Sequence, residues 1–154
     1  EGTIHAGFAR MKDRKGGSRH ALVFDVRIGN TDLAIVNEVA RIADILGVKY
    51  AFYSWKNPRR DKERRCWHVS FLGWERCEGI LKPLLPYMIG SKRQQAELAL
   101  RLISHRRATW KSTWGGSRQG FGASPVDAET MQGVEDLRKM KRVEYDADRK
   151  PVQR

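Results

Sequence analysis

Apolar and polar side chains alternate with a period of two in several stretches of this chain, and a helical period runs between and after them. From Thr3 to Lys12, Ile4, Ala6 and Phe8 fall on one face and His5, Gly7 and Ala9 on the other, which predicts a strand. Lys15-Gly16-Gly17-Ser18 is a turn signal. Beyond it Leu22, Phe24, Val26 and Ile28 alternate with Ala21, Val23, Asp25 and Arg27, so the two stretches read as a hairpin with one apolar and one mixed face. The period then changes. Asn30-Thr31-Asp32 supplies an N-cap, Leu33, Val36, Val39, Ala40, Ala43 and Leu46 recur at helical spacing, and Gly47 stops the helix. Two further strands, Val48 to Trp55 and Cys66 to Leu72, flank a loop from Lys56 to Arg65. In the later strand Trp67, Val69 and Phe71 share a face opposite Cys66, His68 and Ser70. A short helix from about Trp74 to Leu85 ends near Pro86, and Ser91-Lys92-Arg93-Gln94 has the form of a capping box opening a helix with Leu98, Leu102 and Ile103.

The order strand-strand-helix, strand-strand-helix, helix predicts an α+β fold, a four-stranded antiparallel sheet with helices packed on one face. Trp67, Phe71, Phe24 and Val26 face those helices and belong to the core. The composition divides the chain into a domain over 1–106, a Gly-, Ser- and Trp-rich linker over 107–124, and a C-terminal helix with a basic tail over 125–154. In that last segment Ser124-Pro125 precedes a helix with Met131, Val134 and Leu137 on one side, and the charged run from Lys139 reads as a frayed end. No internal repeat marks a second copy of the domain.

Charge changes the picture. Among 154 residues, 30 Lys and Arg against 18 Asp and Glu leave a net charge of +12, which raises the local concentration of polyanions. No apolar run approaches the roughly 20 residues of a membrane span, and no signal peptide is visible, so nucleic acid leads over an anionic membrane. The two cysteines, Cys66 and Cys77, are too far apart for a C-x-x-C knuckle, and the four histidines form no H-E-x-x-H pair. A structural zinc site is therefore not expected, and a reducing cytoplasm, or an organellar matrix in a eukaryotic host, suits the chain.

The positive charge gathers at the two hairpin tips. Arg10, Lys12, Arg14, Lys15 and Arg19 surround the first, and Lys56, Arg59, Arg60, Lys62, Arg64 and Arg65 the second. Such tips either keep the protein soluble or reach along a duplex and neutralise phosphates, releasing counterions. Between them the mixed face carries His5, Asp25, Arg27, Tyr50, Phe52, Ser54, His68 and Ser70, side chains able to read base edges from a ribbon in the major groove. An RNA-binding sheet would more often show several central stacking aromatics, and Tyr50 and Phe52 keep that option open.

At these residues the chain resembles a known family. The element order, Asn30-Thr31-Asp32 after the second strand, Ile45-Leu46-Gly47-Val48 after the helix, and Ile80-Leu81-Lys82-Pro83-Leu84-Leu85-Pro86-Tyr87 are similar to LAGLIDADG homing endonucleases. The following stretch from Gly90 to Leu100 shares the resemblance, which covers about residues 1–105. Glu1-Gly2-Thr3-Ile4 looks like the end of the family's signature motif, whose apolar helical part is not in this chain. With no initiator methionine, upstream residues are expected to be missing, and a fragment without that helix is not expected to pair or cut by itself.

The resemblance implies a site-specific double-stranded DNA endonuclease that uses Mg²⁺ or another divalent cation and is encoded by a mobile intron, intein or free-standing gene. It places Glu1 at the metal-binding acid, where a carboxylate suits a hard cation. It places Asn30 where a polar side chain orders water near the metal, although Asn30 also fits a plain helix N-cap. Lys92, with Arg93 as the alternative, falls where a basic residue stands near the scissile phosphate. A single set of elements implies a homodimer through the missing N-terminal helix, unless a second domain lies upstream. The resemblance also admits an RNA-binding intron maturase, or a catalytically inactive sequence-specific DNA-binding regulator of the same fold.

Overall fold

The computed structural model describes residues 2–12, 18–55, 65–109 and 126–147. The expectations placed on Glu1, Arg14, Lys15, Lys56, Arg59, Arg60, Lys62 and Arg64 lie outside these residues, as do the side chains of Arg10, Lys12 and Arg19. Strands β1 (Gly2–Lys12) and β2 (Ser18–Asn30) are followed by helix α1 (Leu33–Ile45), strands β3 (Ala51–Trp55) and β4 (Cys66–Leu72), and helix α2 (Trp74–Leu84). A 3-10 turn (Leu85–Tyr87) leads into α3 (Gly90–Thr109), and α4 (Ala128–Ala147) closes the described chain. The sheet runs in the order β1-β2-β4-β3, and β4 pairs antiparallel with both β2 and β3. The expected α+β architecture is present.

Contacts divide the chain into two compact units. One holds residues 1–4 with Phe24–Leu84. Its core is the alternation of β2 and β4: Val26, Val69 and Phe71 are buried, and α1 and α2 both pack against β4. Val36, Ala40 and Ala43 supply the buried stripe of α1, and Cys77, Ile80 and Leu81 that of α2. Burying one Phe or Ile side chain contributes about 1.5–3 kcal/mol, so this apolar stripe is what holds the polar face in place. Asp32 caps α1, its Oδ1 accepting from the Ala34 N–H at 2.9 Å. At the other end Gly47 takes φ 66°, Gly47 N–H donates to the Asp44 carbonyl at 3.0 Å, and Val48 N–H donates to Ala43 at 2.9 Å. This pair of bonds closes the last turn of the helix and favours glycine at the left-handed position. It also commits the Val48 N–H to the helix end, and β3 starts only at Ala51, three residues later than the sequence pattern predicts. The Cys77 thiol donates to the Phe71 carbonyl at 3.1 Å, and burial pushes its pKa up to about 12, so it packs as an inert group.

The second unit holds His5–Val23 and the chain from Leu85. Here α3 and α4 pack together through Leu98, Leu102 and Ile103 on one side and Val134 and Leu137 on the other. Gly133 makes the close approach: a Cβ there would run into the buried Leu102 side chain. That contact sets the phase of α4, which buries Thr130, Gly133, Val134 and Leu137 and leaves Met131 57% exposed, contrary to the stripe expected from the sequence. Asp127 begins α4 by accepting from the Thr130 N–H at 2.7 Å and also meets His105 Nε2 at 3.1 Å. Partial burial opposes ionisation of Asp127, but the hydrogen bonds from Thr130 and His105 outweigh it and bring its pKa to about 2. Thus α4 is tied to α3 at its first turn, and it continues to Ala147, well past the point where a frayed end was expected.

Replacing Gly133 by Ala should lower the melting temperature. The roughly 1 kcal/mol gain in helix propensity falls short of the 1–3 kcal/mol typical of overpacking a filled site. A thermal melt monitored by circular dichroism checks this; an unchanged or raised midpoint would show that the α3–α4 contact yields.

Candidate nucleic-acid interface

On β4 the side chains opposite the core are Cys66, His68 and Ser70. Partners directly across an antiparallel ladder point to the same side, so the register adds Asp25, Arg27 and Gly29 from β2, and Ala51 and Tyr53 from β3. Arg27 pairs with Ser70, and both Gly29 and Tyr53 pair with His68. The result is a compact polar surface carried on three paired strands.

Its side chains touch one another. Arg27 Nη2 bonds Asp25 Oδ2 at 2.8 Å, and the Ser70 hydroxyl donates to Asp25 Oδ1 at 2.9 Å, so both carboxylate oxygens are engaged. The Arg27 guanidinium carbon lies 6.0 Å from the centre of the Tyr53 ring, within cation–π range. Tyr53 in turn stacks on His68, with centroids 5.2 Å apart and planes 21° from parallel. His68 lies across Gly29, where an added Cβ would stand 2.5 Å from Nδ1, so the absence of a side chain makes room for the ring. His68 Nδ1 is shut off from solvent with no hydrogen-bond partner among the described residues. Burial, and then the charge of Arg27, hold the His68 pKa below its ordinary value, so this imidazole is neutral at pH 7.

The same register corrects part of the expected surface. Phe52 pairs with Val69 and Ser54 with Trp67, which puts both on the opposite, apolar side. Tyr50 precedes the strand, packs its ring 6.3 Å from Phe71 and donates its hydroxyl to Asp44 on α1 at 3.2 Å. Phe52 likewise meets Trp67, at 6.2 Å. The expectation for Tyr50, Phe52 and Ser54 was one residue out of phase, and such a slip exchanges the two faces of a strand. Tyr53, the aromatic that does face outward, was missed for that reason. Pairing with β4, whose pattern is unambiguous, is the signal that finds it. Arg65 lies over Trp67, 5.6 Å from the ring centre, and so accompanies the apolar side.

Other candidates are placed individually. Asn30 is not the cap of α1; its Oδ1 accepts from the Asp32 N–H at 2.9 Å and so orients the residue that is. His5 is half-buried on β1, its ring beside the position a Gly7 Cβ would occupy, and Arg138 Nη2 lies 3.6 Å from that position. Lys92 is half-buried in the first turn of α3, and Arg93 is engaged by Glu97 at 3.0 Å. Among the described residues no three His, Cys, Asp or Glu side chains come together to hold a metal ion, and no helix is long and apolar enough to cross a membrane.

Neither a protein-family profile nor a curated protein matches the sequence. Solved structures do match the fold. An archaeal intron-encoded homing endonuclease complexed with DNA, I-Vdi141I, aligns with 91% of this chain and 76% of its own, at 14% identity and a TM-score of 0.52. I-TnaI, a homing endonuclease, aligns over 95% and 89%, at 10% identity and a TM-score of 0.51. The LAGLIDADG homing endonuclease I-GzeII, in complex with its DNA target, aligns over 90% of this chain at 14% identity and a TM-score of 0.51. The chain spans only 40% of I-GzeII, and 58% of a further similar structure, I-CvuI. The chain has the fold of the LAGLIDADG homing endonucleases.

The neutral His68 generates a pH prediction. Its folded pKa is depressed below 6.5, so on acidification the unfolded chain takes up the proton first and stability falls as pH drops below about 6.5. His68→Gln should lose less stability between pH 7 and pH 5 than the parent. Denaturant midpoints at the two pH values measure it, and equal losses in both proteins would contradict the assignment.

Proposed function

We propose that the chain is the DNA-gripping part of a site-specific endonuclease that hydrolyses phosphodiester bonds in double-stranded DNA with a divalent cation, as homing endonucleases do. The observation that carries this reading is the polar surface of β2, β4 and β3, where Asp25, Arg27, Ser70, Tyr53 and His68 form one connected set on a sheet of this fold. The net charge of +12 and the basic residues at both hairpin tips support a polyanionic partner. The tips would neutralise phosphates and fix the register, and the paired surface would read base edges.

In this reading Glu1 would hold Mg²⁺, and the chemistry that ion would supply is activation of a water and stabilisation of the leaving oxygen. Asn30 holds water near the reacting phosphate, and Lys92 balances charge developing on it. Two such halves, from a homodimer or from a second domain in a longer protein, would address the two strands.

Cleavage of a randomised duplex library tests the reading. The chain is used alone and within its full reading frame, in Mg²⁺ and in Ca²⁺, with Glu1→Gln as control. Cutting at one recurrent site in Mg²⁺, abolished by Glu1→Gln, is the expected result. Affinity should also fall steeply with salt, as it does when several phosphates are neutralised. Site-specific retention without any cutting would replace the enzyme by a DNA-binding regulator, and preference for structured RNA over duplex would replace it by a maturase.

A further inference from the structure

Arg27 is held more firmly than a phosphate contact requires. It stands in the exposed part of β2 with its side chain 48% exposed, yet it is tied at 2.8 Å to a carboxylate that is itself only 14% exposed. That carboxylate is fixed from its other oxygen by Ser70, a buried side chain on the neighbouring strand. Tyr53 flanks the guanidinium, and His68 backs Tyr53. A contact to a phosphate needs only a positive charge within reach, and a flexible lysine or arginine serves. A guanidinium oriented by a buttressed carboxylate has a defined plane and direction instead. It is pre-organised, so less side-chain freedom is lost when a ligand arrives.

The direction selects the ligand. The bond to Asp25 uses one of the five N–H groups of the guanidinium, and the others leave a pair on neighbouring nitrogens for two acceptors in the same plane. In the major groove only guanine presents two acceptors, O6 and N7, at that spacing; adenine presents one acceptor and one donor. Asp25 is only 14% exposed and gives one oxygen to Arg27 and the other to Ser70, so it acts as a positioning residue. We propose that Arg27, oriented by Asp25 and Ser70, reads a guanine through the major groove and fixes one base pair of the target. The inference rests on the DNA-binding reading above and adds a residue and a base to it.

The test is selection of bound duplexes from a randomised library by the full chain, followed by binding titrations at several salt concentrations. It compares the parent with Arg27→Lys, Arg27→Gln and Ser70→Ala, each with its melting temperature measured as a check on folding. The parent should select guanine at one position. Arg27→Lys keeps the charge and should still lose roughly tenfold to a hundredfold of the discrimination at that position, with the salt dependence nearly unchanged. Arg27→Gln should shift the preference there toward adenine. Ser70→Ala should weaken the preference at the same position and leave the others alone.

Full retention of the guanine preference by Arg27→Lys would overturn the inference. So would a uniform loss of affinity in Arg27→Gln, with the salt slope reduced by about one, which marks a phosphate contact. Either result leaves the DNA-binding reading standing. Selection of no duplex at all by the parent would remove that reading and this inference together.

Discussion

The pairing of β4 between β2 and β3 is the constraint on which the candidate interface depends. Val69 and Phe71 are fully buried against helices, and that burial decides which way every other residue of the strand points. Through the ladder, the decision passes to both neighbours. Asp25 and Arg27 on one side and Tyr53 on the other reach the polar face because Ser70 and His68 do. A shift of one residue would bring Phe52 outward and bury Tyr53, at a cost of several apolar side chains.

Within that frame the polar residues are tuned by one another. Asp25 orients Arg27, Ser70 holds Asp25, and the charge of Arg27 reinforces the burial that keeps His68 neutral. The surface thus presents a fixed cation, a flat aromatic and an uncharged imidazole side by side. This is a pattern of donors, acceptors and rings, as base reading requires, and not a uniform positive field. The long-range field comes instead from the rest of the net charge of +12.

Much of the fold was legible in the sequence because its periods are clean. The strand Cys66–Leu72, the helix beginning at Leu33 and stopped by Gly47, and the hairpin before it match the structure closely. The phase of β3 was not legible. Its short run of aromatic residues carries no clear alternation, and Val48, where the pattern starts it, is tied to the end of α1. The role of Asn30 as a support for the Asp32 cap was likewise hidden, because either residue type caps a helix and only geometry separates them. The placement of α4 depended on Gly133, whose use as a close-packing point cannot be told from flexibility until α3 is alongside.

The central claim, that duplex DNA meets the polar side of β2, β4 and β3, is tested most directly by amide chemical-shift mapping of the isotope-labelled chain with a duplex that it selects. The account predicts the largest changes at Arg27, Gly29, Tyr53, His68 and Ser70, with Val36, Ala40, Ile80 and Leu81 little affected. Changes confined to α1 and α2, or to α3 and α4, with the strands unmoved, would contradict it.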